Sequence, residues 1–135
     1  MTPFRITLVL TVLAAVVVVL TRVRLAKDEG AGRLSIPHGL LNTHTFAGVP
    51  ALGLWVAFLI TGNTLLGWLG LVFWWVTVVA GLLVLARWMP AKGRHSSGPT
   101  ADTWGEGPGL SVLAHVGLLI GVIVFTAFLA TGNIP

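Results

Sequence analysis

Residues 34–86 contain no Asp, Glu, Lys or Arg, and neither do residues 107–135. A soluble chain carries charge at about a quarter of its positions; here the figure is 9%. A membrane-crossing helix needs roughly 20 mainly apolar residues. The first charge-free run therefore has room for two spans and the second for one. A further apolar segment at residues 6–21, ITLVLTVLAAVVVVLT, supplies a fourth. Spans are expected near 5–23, 37–62, 65–88 and 109–131, joined by loops 24–36 and 89–108, with residues 1–135 forming one membrane domain. The mean hydropathy of +0.95 excludes a soluble fold and a disordered chain alike. The absence of cysteine removes disulfides, thiolate metal sites and covalently attached haem.

Local signals agree with these spans. Thr61-Gly62-Asn63-Thr64 reads as a tight turn that ends one helix and starts the next. Pro37 and Pro108 suit a first helical turn, where the missing N–H has no partner to lose. Pro90, Gly93, Ser96, Ser97 and Gly98 read as loop. The basic residues Arg22, Arg24, Lys27 and Arg33 fall in or beside the first loop, and Arg87, Lys92 and Arg94 in or beside the third. Basic loops stay cytoplasmic, so both termini are expected outside, in a bacterial-type cytoplasmic (inner) membrane. Residues 6–21 are followed, not preceded, by their basic cluster, which reads as a retained helix and not as a cleaved signal. Trp68 is expected at the outer interface and Trp88 and Trp104 at the inner one, with Trp55, Trp74 and Trp75 deeper.

The chain also repeats itself. Ala57-Phe-Leu-Ile-Thr-Gly-Asn63 matches Ala127-Phe-Leu-Ala-Thr-Gly-Asn133 at all but one position, and Pro37 to His44 matches Pro108 to His115 in its proline and its histidine. The expected architecture is an all-α, up-down bundle of four transmembrane helices made of two parallel hairpin repeats, related by an axis along the membrane normal.

Four histidines carry what chemistry the sequence offers. His95 lies in a Lys-Gly-Arg-His-Ser-Ser loop and reads as solvated. His38 follows Pro37 at the interface and is a candidate third member of a site. His44 and His115 each stand seven residues after a helix-starting proline, roughly 10 Å along the helix, and so share a depth just inside the inner edge of the membrane. Ionisable groups at such depth face the bundle interior or water. On diagonal helices roughly 11–14 Å apart, two imidazoles face each other across the core. That arrangement suits a b-type haem held by His44 and His115, with Arg22 and Arg33 near its propionates, Arg24 and Arg87 also within reach, and Gly48, Gly81 and Gly117 making room for the ring. In helix number and histidine pair the design is similar to the small four-helix b-type cytochrome anchors of respiratory enzymes.

Other readings stay open. The pair can donate hydrogen bonds to a quinone headgroup, or serve only as structural polar contacts beside Asn42, Thr43 and Thr45. Two histidines make a poor zinc site, which needs three or four ligands. No span holds a carboxylate, as a proton-coupled transporter would require, and Gly105 to Gly109 lacks the Lys-Ser/Thr of a phosphate loop. The loops are too sparsely basic for nucleic acid and suit lipid headgroups. The expected role is a small subunit of a respiratory or redox complex, holding haem and exchanging electrons with a partner or quinone. The alternatives are a cofactor-free accessory subunit of a larger membrane complex and, less favoured, a small oligomeric channel or transporter.

Overall fold

The computed structural model describes residues 1–27, 38–88 and 108–134. Among these residues the chain is all-helical and has no strand. Four helices follow in order: α1 (Pro3–Lys27), α2 (His38–Thr61), α3 (Thr64–Trp88) and α4 (Pro108–Ala130). They coincide with the expected spans to within a few residues. The largest departure is at α1, which continues through residues 24–27, expected as loop. Arg24, Leu25, Ala26 and Lys27 are all strong helix formers, and nothing there breaks the helix.

Among the described residues three stretches are long and apolar enough to cross a membrane: Asn42–Thr61, Thr64–Leu83 and Val112–Ala130. In α1 the described residues contribute the apolar segment Pro3–Val19. The outward side chains are apolar too. Val12, Leu13, Phe46, Val49, Ile60, Val72, Leu113 and Ile120 are all exposed. An exposed apolar surface of that extent belongs against lipid, and the chain is a multi-pass membrane protein.

The helix ends are made by the residues the sequence offers for them. Gly62 has φ 70°, and its N–H donates to the Phe58 carbonyl at 2.8 Å, closing α2 with a left-handed cap. Asn63 then caps α3, its Oδ1 accepting from the Leu65 N–H at 3.0 Å. At the second Thr-Gly-Asn, Gly132 has φ 66°. Its N–H reaches the Leu129 carbonyl while that of Asn133 reaches Phe128, the paired bonds of a Schellman ending.

Helices α2 and α3 form the most extensive contact, α3 and α4 the next, and α1 rests more lightly on α2 and α4. Glycine permits the closeness of the first pair. A β-carbon at Gly70 would stand 3.0 Å from the Trp55 backbone nitrogen, and one at Gly67 would stand 3.1 Å from the Phe58 ring. Contacts across this hairpin are symmetric about its turn. Phe58 meets Gly67, Trp55 meets Gly70 and Gly48 meets Thr77, each pair equally far from Gly62-Asn63.

The core centres on Trp55, Phe58, Trp74, Val122 and Phe125, all fully buried. Trp55 lies against Phe125 with ring centroids 4.5 Å apart, and its Nε1–H donates to Thr11 of α1 at 3.2 Å. Trp75 Nε1–H donates to Thr126 of α4 at 3.1 Å. Each threonine in turn donates to the carbonyl four residues back, so these polar groups are satisfied where water is absent.

Candidate functional site

The deepest packing lies towards the turn end of α2 and α3. Towards the other end the two histidines meet. His44 sits in the second turn of α2 and His115 in the second turn of α4. Their ring centroids are 5.9 Å apart, with planes inclined at 29°. Helices α2 and α4 run parallel, and the equivalent contact deeper in the core is Trp55 with Phe125. The two contacts join residues 71 and 70 positions apart in sequence, the offsets at which the sequence matches itself.

Both imidazoles lean on α3. His44 Nδ1 lies 3.1 Å from the Thr77 carbonyl oxygen. A carbonyl can only accept, so Nδ1 is the donor, and in the neutral ring Nε2 then keeps its lone pair. A β-carbon built on Gly81 would stand 2.9 Å from His115 Cδ2, 3.2 Å from His115 Nε2 and 3.2 Å from His44 Cε1. The edges of both rings therefore fill the place of a side chain that Gly81 does not have. The Thr77 hydroxyl donates to the Phe73 carbonyl at 2.8 Å, and its methyl lies 3.5 Å from where a β-carbon on Gly48 would stand.

On the side of the pair towards α1 lies a cavity of about 390 Å³. Val17 and Val18 of α1, Val49 and Pro50 of α2, and Leu118 of α4 make its walls, and His44, His115, Thr45 and Thr77 give it polar points. Pro50 lies within α2. Having no N–H, it leaves the carbonyl of Phe46, four residues earlier, without its helical partner. An apolar pocket with a few polar groups is the form that small-molecule sites take.

Of the residues singled out from sequence, His44 and His115 are brought together. Gly81 touches both, and Gly48 borders the same cavity. Gly117 does not line the cavity, and the place of its β-carbon is open space. His38 opens α2, but its side chain and those of Arg22, Arg24 and Arg87 lie outside the described residues, as do Arg33, His95 and Trp104 altogether. No group of three or more His, Cys, Asp or Glu able to hold a metal ion occurs among the described residues.

Thr77 and Pro50 were not singled out from sequence. A signal for Thr77 was present. Counting equal distances from the Gly62-Asn63 turn sets Thr77 opposite Gly48 and Gly81 opposite His44. Comparison of the chain with protein-family models, curated proteins and solved structures finds no match.

Proposed function

We propose that this chain is a small membrane redox subunit, an up-down bundle of two parallel hairpin repeats with α1 as its fourth span. In this reading His44 and His115 hold one b-type haem near the cytoplasmic face. The meeting of two imidazoles inside a lipid-facing bundle carries it: their ring centroids are 5.9 Å apart, and His44 and His115 would supply the two neutral nitrogen donors that hold the group. A bare metal ion needs a third and usually a fourth protein ligand, whereas haem iron takes two, because the porphyrin supplies the rest.

The residues fit that task in several respects. The Thr77 carbonyl holds the Nδ1–H of His44, the outer-sphere bond that orients metal-ligating histidines and leaves Nε2 for the metal. The cavity offers apolar volume on the α1 side. On the α3 side the backbone at Gly81 stands beside both ring edges. Haem, when bound, supplies one-electron transfer. The chain's own part is to orient the ring, keep water from it and set its potential through the two imidazoles. Arg22 and Arg33 serve the propionates in this reading, and a larger membrane complex or the quinone pool exchanges the electron.

The one-sided cavity favours a second reading. A quinone ring seated there accepts a hydrogen bond from His115 and leaves α3 in place. The two readings separate by composition. Protein purified from membranes is assayed for haem by its pyridine haemochrome and for quinone by solvent extraction. About one haem per chain is expected. Stoichiometric quinone without haem supports the second reading, and neither leaves a cofactor-free accessory subunit.

A further inference from the structure

We infer that the turn of α3 from Thr77 to Gly81 is a seat that positions the histidine pair, with Gly81 as its positioning residue. The inference deepens the reading of His44 and His115 as a ligand pair and rests on it for its functional meaning, though its geometry is tested separately.

Three contacts define the seat. Both imidazole edges occupy the space of the missing Gly81 side chain, at separations of 2.9–3.2 Å from where its β-carbon would be. Those separations are below ordinary carbon contact at roughly 3.5–4.0 Å. His44 can therefore come close enough to donate to the Thr77 carbonyl at 3.1 Å. In a regular helix that same oxygen accepts from the Gly81 N–H, four residues on, and its second lone pair takes the imidazole. Seat and bond are thus one device. A methyl group at 81 forces both rings off α3, lengthens the His44 bond and releases its tautomer. Both rings meet the same atom, so both must shift to admit it. The Thr77 carbonyl belongs to the backbone of α3 and does not move with the rings, and its side chain is tied within the same helix to the Phe73 carbonyl.

The test uses the full chain in lipid nanodiscs, prepared without haem and with labelled histidine. In the wild type, proton–proton cross-peaks are expected from the Gly81 α-protons to His44 Hε1 and His115 Hδ2, and the His44 nitrogens are expected to show a protonated Nδ1. Absence of those cross-peaks overturns the seat without recourse to a variant. Gly81→Ala is expected to lose the Nδ1–H signature, whereas Gly53→Ala, whose methyl meets nothing within 4 Å, is expected to keep it. Titration with haem then reads function. Gly81→Ala is expected to bind at least tenfold more weakly than wild type, or with an altered low-spin signature, and Gly53→Ala as wild type. If the wild type takes up haem and Gly81→Ala matches it in affinity and spectrum, the seat is wrong and the redox reading stands. If no form takes up haem yet Gly81→Ala still loses the tautomer, the seat stands and the redox reading fails.

Discussion

Trp55 and Trp74 are both fully buried, yet they differ in one bond. Trp55 donates to Thr11, while Trp74 Nε1 has no hydrogen-bond partner. An unpaired buried N–H carries a desolvation cost that a paired one does not. Trp55→Phe and Trp74→Phe remove the same ring volume. Trp55→Phe is therefore expected to destabilise more, by about 1 kcal/mol, the scale of a hydrogen bond within a membrane protein. Unfolding in mixed micelles reads the difference, and equal losses contradict it. At this scale the sequence was informative about depth and poor about partners. The proline-to-histidine spacing placed His44 and His115 level, because helical rise is constant. That Thr11 would serve Trp55, or that Trp74 would lack a partner, depends on how facing helices rotate about their axes, and an apolar sequence with no polar face leaves that rotation unmarked.

Between elements, glycine decides which helices come close. Gly70→Ala puts a methyl 3.0 Å from the Trp55 backbone, and backbone cannot swing aside as a side-chain tip can. The expected cost is roughly 1–3 kcal/mol, against a gain of about 0.5–1 kcal/mol for alanine over glycine within a helix. Gly53→Ala receives only the gain, since no atom lies within 4 Å of its new methyl. Opposite signs for these two substitutions in the same unfolding assay are the expected result; equal signs count against the close α2–α3 contact. The turn offers a second check. At φ 70°, Gly62→Ala is expected to lose about 1–2 kcal/mol. The turn itself was legible from Thr-Gly-Asn, and with it the register of α2 on α3. The lighter packing of α1 was not legible, because residues 6–21 are as apolar as the other spans and the difference lies in contact geometry.

For the whole molecule, membrane residence follows from the charge-free runs and the exposed apolar surface, which state one physical fact twice. The proposed up-down bundle, with α2 and α4 parallel, puts the ends of both helices, at Asn63 and Asn133, on one side of the membrane. With no native cysteine in the chain, Asn63→Cys and Asn133→Cys are expected to react alike with a membrane-impermeant thiol reagent, from outside in intact cells. Labelling of one and not the other contradicts the parallel arrangement. The internal match was visible in the text of the chain. Its correspondence with contacts at offsets 70 and 71 was not, since a repeat alone does not say which copies touch. The central claim is that His44 and His115 are the two ligands of one haem, and a reduced-minus-oxidised visible spectrum tests it most directly. The wild type, purified from haem-replete cells, is measured beside His44→Ala and His115→Ala. A sharp α-band of low-spin b-type haem in the wild type, lost in both variants, is the predicted result. A flat wild-type spectrum, or a band that survives either substitution, contradicts it.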